Sequence, residues 1–519
     1  MTPATEIASK NQDRVSPVLA DRIDSFLHKE QVTIVLGLCV LAAIRIFLFT
    51  AAFPIFNYID EQFHFDTVYE YAKGIPVSKN LPLIEPEVAR IIALYETPEY
   101  INSPDKARQA HLDIPIEQLP PQLRDFEYHR IFDYWSRQSN SEAQSPPLYY
   151  MVAAQWYRLG QFFGAKDRAL VYWLRFFNIL AYSLFVWVSY LFIREIYPQN
   201  NFLCIAVPAL LAVFPQDVFF GINREILSPL LAATILWLLF LSLRPNVSSA
   251  FFIGAGFLVS LSFLTDISNV VLFGAFAIIC CVRLRDVMNS GLPRRALLGI
   301  TSAMGAALVP ALIWMAHNRT VTGDFTGSTA KTAMLGWTIR PWTELRHHPL
   351  FSLHGSFYFL KTLMITYWRG ENHWHGTSMG LPVPDAFYAV TSYAFLLVFA
   401  VYLIRNKSGH SLQRLSGLVC VSLLVLSVSF LAVLSLLFDF HQCVYPSRAL
   451  PYFVSGRIIC GTLLPFALIY SLGFEYLLKR FRSFLHPIIP FAFCCLFVVI
   501  AQMIACGGVF LSRFNFFAF

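Results

Sequence analysis

Eleven apolar runs, each long enough to cross a bilayer as a helix, constrain this chain more than any other feature. They fall at about 32–53, 170–193, 202–220, 226–243, 248–265, 267–284, 296–316, 386–404, 415–437, 456–478 and 486–511. A helix of roughly 17–25 apolar residues spans the hydrocarbon core because it satisfies its own backbone hydrogen bonds where water cannot. Composition agrees: of 519 residues, 56% are apolar and 14% charged, against about 45–50% and about 25% in soluble chains. A surface that poor in charge cannot cover soluble domains of this length, and the 49 Phe need lipid as their solvent. A string of soluble domains and a disordered chain are both excluded, and the fold class is an all-α polytopic membrane protein.

The runs divide the chain into a leader (1–31), a membrane module (32–316) that includes a first long loop (54–169), a second long loop (317–385) and C-terminal membrane helices (386–519). The leader carries both charge signs and no small-residue cleavage site, and reads as cytosolic. One further segment, 147–163, is short and interrupted by Gln155 and Arg158, so it reads as an interfacial helix. Arg283, Arg285, Arg294 and Arg295, then Arg405, Lys407 and Arg414, then Lys479, Arg480 and Arg482 then share the side of the N-terminus. Positive charge marks the cytosolic face, which predicts a cytosolic N-terminus, an outside C-terminus and both long loops outside. Asp60-Glu61, Asp217, Arg224-Glu225, Asp266, His317, Arg319 and Asp439-His441 all reach the outer mouth in that arrangement. The net charge of +7 contains no basic run of the kind that binds nucleic acid. Nearly all of the 10 Cys lie inside apolar runs, with no disulfide framework and no zinc spacing. Neither a tandem repeat nor an inverted pair of broken spans is evident.

Three groups of residues carry chemistry. The first is Asp60-Glu61-Gln62-Phe63-His64 after the first span, where partly desolvated carboxylates can act as a general base, help coordinate a metal, or simply cap a helix end. The second is Gln144-Ser145-Pro146-Pro147-Leu148-Tyr149-Tyr150, alone only a helix-start signal. The third is a set of cations in the second loop, Arg340, His347, His348, Arg369, His373 and His375, among Trp337, Trp342, Trp368 and Trp374. Arg offers a planar fork to phosphate oxygens, whereas an aromatic belt with solvated basic residues accounts for the Trp equally well. On a strand His373 and His375 share a face, as metal ligands do, but no third ligand is clear and no metal is assigned. Arg319, Arg448 and Arg457 complete the outer-face cations. Arg45 and Arg175 lie within spans, facing a cavity or held in a buried pair.

Taken together and in order, these motifs resemble the GT-C superfamily of multi-pass glycosyltransferases, nearest to an uncharacterised bacterial domain-of-unknown-function family related to protein O-mannosyltransferases and the lipid A aminoarabinose transferase. Asp60-Glu61-Gln62-Phe63-His64 is similar to that family's Asp-Glu-x-x-His, and Ser145-Pro146-Pro147-Leu148-Tyr149-Tyr150 to its Gln-Pro-Pro-Leu-Tyr-Tyr. Phe214-Pro215-Gln216 with Gly221-Ile222-Asn223, Asn318-Arg319 with Gly323-Asp324-Phe325-Thr326-Gly327, and Ser455-Gly456-Arg457 with Leu464-Pro465 resemble three further family stretches. Each piece is weak and the collinear order over about 35–480 is specific. Two departures change the charge balance: Asn223-Arg224-Glu225 stands for Asn-Asn-Asp, and Leu264-Thr265-Asp266 for Leu-Thr-Lys.

The resemblance implies a GT-C-like bundle of about 11 spans with interfacial helices in its two outer loops, in the plasma (inner) membrane if the source is bacterial. It implies transfer, with inversion, of a sugar from a polyprenyl-phosphate donor to a hydroxyl of a lipid, glycan or protein acceptor, with no required cofactor. Asp60 and Glu61 are the expected catalytic pair; His64, Arg319, Arg340, Arg369, His373, His375, Arg448 and Arg457 are the expected donor-phosphate and substrate contacts. The competing reading is a non-catalytic carrier, flippase or scaffold for lipid-linked sugars.

Overall fold

The computed structural model describes residues 3–109, 113–244, 247–290, 294–405, 411–443, 445–481 and 486–518; Lys407 and Arg482, two of the topology-setting cations, lie outside them. Every expected apolar run is a helix. Among the described residues, nine are long and apolar enough to cross a membrane: Arg22–Ala52, Asp167–Ile196, Arg224–Leu241, Ile267–Asn289, Leu297–Thr322, Pro382–Arg405, Leu412–Leu437, Gly456–Arg480 and Ile488–Phe510. The other two, Asn201–Val213 and Ser249–Phe263, are shorter. At about 1.5 Å per residue these reach only ~20 Å of the ~30 Å core. The first stops where Phe214 turns extended before Pro215, as a residue preceding proline must.

The helix Gly456–Arg480 is the hub. Its most apolar stretch is 94% buried, against 22–61% for the other eight long spans, and it packs on Pro382–Arg405 and Asn201–Val213. A helix apolar on every side is stable only where protein or lipid covers every side, and here protein does. The segment 148–162 is a separate helix, Leu148–Phe162. It buries Tyr149, Tyr150, Ala153 and Tyr157 against the helices Glu61–Lys73 and Asp167–Ile196, and leaves Met151 and Phe162 exposed. Strand structure among the described residues is confined to two short pairings, Thr338–Ile339 with Phe438–Asp439 and His373–Trp374 with Thr377–Ser378.

Three spans begin not as α-helix but as a tight 3-10 turn, Arg224–Leu227, Ile267–Val270 and Gly456–Thr462, and a further such turn, Asp217–Phe220, precedes the first of them. Gln216, Asn223 and Asp266 open Asp217–Phe220, Arg224–Leu227 and Ile267–Val270 by accepting a hydrogen bond from the amide two residues on, at 3.4, 3.0 and 2.7 Å. Such side chains satisfy the orphan amides of a helix start. These turns touch one another, so the same end of the bundle gathers irregular backbone and polar side chains.

Candidate functional site

The Asp60-Glu61 pair is split by its backbone. Asp60 takes a left-handed conformation, φ 63°, and its side chain stays 32% exposed. Glu61 turns inward and is fully buried. Its two oxygens receive the Arg175 guanidinium at 2.7 and 2.6 Å and the amides of Phe56 and Ile222 at 2.8 and 3.0 Å. Arg175 spends its remaining donors on the carbonyls of Thr50, Phe53 and Pro54. Arg175 is thus the buried pair, and Glu61, expected as catalytic, has no oxygen free for a substrate. Arg45, the other intramembrane cation, donates to the Ala212 carbonyl at 2.9 Å and the Gln502 side chain at 3.1 Å.

Asp60 is paired with one cation directly. Arg457, at the start of the hub helix, donates from Nη2 to Asp60 Oδ2 at 3.0 Å. Burial pushes the Asp60 carboxyl up, but the Arg457 and Lys331 charges outweigh it and hold the group below its ordinary value, so it is ionised at neutral pH. Behind Arg457 stands Glu371, with Oε2 4.0 Å from Nε and accepting the Ser455 hydroxyl at 2.6 Å. Asp217 fixes that loop: it accepts Tyr58 Oη at 2.6 Å and the amides of Glu371 and Asn372 at 2.9 and 2.8 Å. Gly370 makes this possible, because it sits at φ +83° and a Cβ there would lie 1.8 Å from Asp217 Oδ1.

A second corner is built on Glu142, which is 1% exposed. It bonds both Arg224 and Lys331, and accepts the hydroxyls of Ser145 at 2.6 Å and Tyr150 at 3.3 Å. Burial alone would raise its carboxyl, yet Arg224 and Lys331 hold it well below the ordinary range. Arg224 also donates to Asp266 at 2.7 Å, so the two departures from the family pattern are partners: the cation expected at 266 stands at 224 and Asp266 binds it. Lys331 is delivered by a close approach. Gly327, at φ +70°, lies so near the Gln144 carbonyl that a Cβ would come within 2.2 Å, and the helix Ser328–Met334 starts there. His64 is buried with Nδ1 2.8 Å from Tyr150 Oη. Burial first, then Arg224, drives its pKa to about 4 against the opposing pull of Glu142, so the imidazole is neutral.

The remaining expected donor contacts are engaged elsewhere. Arg369 pairs with Asp385 at 2.9 Å at the polar end of a small pocket of about 40 Å³ whose apolar wall includes Phe53, Phe220, Leu381 and Ala501. Arg340 donates to the Phe438 carbonyl at 3.0 Å, Arg319 stacks over Phe325, and Arg448 pairs with Asp439 at 2.8 Å. His373 lies on its short strand beside Tyr100, whereas His375 sits past the strand end at φ 54° with Nδ1 3.1 Å from the Asn102 carbonyl. The shared strand face expected of the two histidines does not form. Among the described residues no group of three or more His, Cys, Asp or Glu is arranged to hold a metal ion.

Of the eight expected contacts, Arg457 reaches Asp60 directly and His64 approaches through Tyr150 and Glu142. Sequence reasoning missed Glu142 and Lys331. The first stands three residues before Ser145 and the second four after Gly327, so each borders a motif that was read. Several buried atoms round Arg457 make no hydrogen bond among the described residues: Arg457 Nε and Nη1, Glu225 Oε2, and both amide atoms of Asn372. Mixed unpaired donors and acceptors near one part-exposed carboxylate suit a polyhydroxylated or anionic ligand.

A family model described as "Predicted membrane protein (DUF2142)" matches residues 44–442. No curated protein sequence matches. Among solved structures the chain is similar to the Archaeoglobus fulgidus oligosaccharyltransferase in complex with Zn and sulfate, at 12% identity and a TM-score of 0.36, over 92% of this chain and 53% of that one. It is also similar to the oligosaccharyltransferase AglB of the same organism in complex with an inhibitory peptide and a dolichol-phosphate, at 12% identity and 0.36, over 93% and 56%. The chain thus spans a little over half the length of these proteins.

Proposed function

The chain belongs to the DUF2142 family of predicted membrane proteins, and from that premise we propose that this integral multi-pass protein is a glycosyltransferase that moves a sugar from a polyprenyl-phosphate donor to an acceptor hydroxyl. One observation carries the reading. Motif pieces from five distant stretches form two polar clusters, Arg457 on the part-exposed Asp60 and Ser145, Arg224 and the helix that starts after Gly327 on the buried Glu142. Such convergence is what a reaction centre needs and what a solvated surface does not.

In the proposed reaction Asp60 accepts the proton of the acceptor hydroxyl as that oxygen bonds to the anomeric carbon. The sugar–phosphate bond breaks on the opposite face and its electron pair leaves with the phosphate oxygen, inverting the centre. Phosphate is already a stabilised leaving group, so no strong general acid is required, and neutral His64 fits that economy. Arg457 orients the Asp60 carboxylate; Glu61 acts through the fold by fixing the turn that presents Asp60. The site opens, on the expected topology, to the non-cytosolic face.

The carrier reading needs a polar path between the two faces. The hub stretch Leu463–Gly473 is wholly buried and almost entirely apolar, which favours an enzyme with one open face. Asp60→Asn tests the proposal, because the amide keeps the shape and cannot accept a proton at neutral pH. Transfer from a polyprenyl-phosphate sugar should vanish while the purified variant unfolds at the wild-type temperature. Wild-type turnover in that variant would overturn the assignment.

A further inference from the structure

A cavity of about 630 Å³ lies at the other end of the hub helix from Asp60. Arg457, the partner of Asp60, stands at the start of that helix, and Lys479, in the cavity wall, stands in its last turn. At 1.5 Å per residue the two places are on the order of 30 Å apart. On the expected topology this end is cytosolic, at the depth where the spans stop and phospholipid headgroups begin. A volume of about 300–1,000 Å³ is that of a site for a whole small molecule, and the transferase reading gives this one no role.

Two acid–base pairs in the wall share one arrangement. Glu195 pairs with Arg244, and Glu475 with Lys479 at 2.7 Å. The carboxylates lie inside, with side chains 7% and 9% exposed, and the cations outside, at 52% and 66%. Glu195 pairs through Oε1, a buried oxygen that makes no further hydrogen bond among the described residues. Glu475 is held by the Asn200 amide, which donates to its two oxygens at 3.2 and 2.9 Å, so it keeps its place when Lys479 swings away. A lysine that open adds little to its pair. The helices Asp167–Ile196 and Leu463–Arg480 both end at this cavity, and the carbonyl end of a helix favours a cation. Tyr402 and Tyr476, with ring centres 5.4 Å apart, add aromatic surface of the kind that attracts organic cations.

A lone cation entering here would displace Arg244 or Lys479 and leave that charge without a partner. A lone anion would meet the two carboxylates. A zwitterion avoids both penalties, because its ammonium goes to the inner carboxylates while its anionic end takes the cations so released. We propose that this cavity binds a phosphoethanolamine group, its ammonium at Glu475 and Glu195 and its phosphate at Arg244 and Lys479. Phosphate is favoured over carboxylate because the cavity sits at headgroup depth and a guanidinium presents a planar fork to phosphate oxygens. The group has two sources, a membrane phospholipid or its free, deacylated headgroup. Neither the site nor its test depends on sugar transfer.

The experiment measures binding to the purified full chain in detergent. Dioleoyl phosphatidylethanolamine is compared with dioleoyl phosphatidylglycerol, which shares its chains and phosphate and lacks the ammonium; glycerophosphoethanolamine is compared with glycerophosphoglycerol. In at least one pair the ethanolamine compound should bind about tenfold more tightly, as expected for one charge-assisted contact. Glu475→Gln should abolish that preference. Gln199→Trp, which fills the cavity and keeps both acid–base pairs, should abolish it too, and decides the matter if Glu475→Gln lowers the unfolding temperature. Preference in the lipid pair alone assigns the site to a membrane phospholipid; preference in the deacylated pair assigns it to the free headgroup. No ethanolamine preference in either pair overturns the proposal. So does a preference that survives Gln199→Trp, or one that survives Glu475→Gln in a protein of wild-type stability.

Discussion

Asp60 and Glu61 are adjacent, yet one side chain reaches solvent and the other lies beneath it against Arg175. The difference comes from the left-handed backbone at Asp60, which the residue types alone do not announce. Removing one partner of a buried ion pair costs about 3–5 kcal/mol, because the remaining charge is left uncompensated. Glu61→Gln should therefore lower the unfolding temperature in detergent sharply, whereas Asp60→Asn should leave it nearly unchanged; equal melting of the two would refute the division of labour. The carboxylate pair, Arg457 and the departures at Arg224 and Asp266 were legible in the chain, because short motifs carry them. Lys331 was not, since its partner Glu142 is 189 residues away and neither residue stands out locally. The second loop misled for the converse reason: it is rich in cations, but composition does not tell which of them are consumed by carbonyls and carboxylates nearby.

At the scale of elements, the loop after the helix Leu353–Arg369 is anchored at its start by one carboxylate, Asp217. Gly370→Ala would drive a methyl group into Asp217 and strain a positive φ; it should release Glu371 from behind Arg457 and lower transfer. Adding Asp217→Ala relieves the collision but removes the bonds to the Glu371 and Asn372 amides, so the double variant should remain impaired. Recovery would show that the clash alone mattered. The helix Glu61–Lys73 carries a separate pH signature. Burial, then the Glu85 charge among others, raises Asp66 to about 7 and Glu70 to about 8, and burial raises Glu96, bonded to Gln62, to about 7. Their folded values lie above the unfolded ones, so the stabilisation is fully present below about pH 4 and is lost as pH rises through about 7–8. Hydrogen exchange over 61–73, corrected for intrinsic rates, should show stronger protection at pH 5 than at pH 9. The eleven helices were legible because hydropathy is a property of each stretch alone; that several begin as 3-10 turns was not, because those turns are set by contacts with one another.

At the scale of the whole molecule, the expected topology has a direct check. Reporters fused after residues 100 and 350 should report the outside and those after 290 and 410 the cytosol; finding 100 and 290 on one side would reverse the placement of the site. The hub helix has a consequence for how such a molecule is made. It follows in sequence the helices Asn201–Val213, Ser228–Leu241, Pro382–Arg405 and Leu412–Leu437 that pack on it. Synthesis therefore inserts these four before the helix they share exists, and lipid fills the place it will take. The helix that displaces that lipid carries Arg457 at its leading end, so folding and arming of the site are one late event. A chain halted before residue 456 would present the cell with a membrane-inserted intermediate, open along its length and recognisable to quality-control proteases by its unclosed interior.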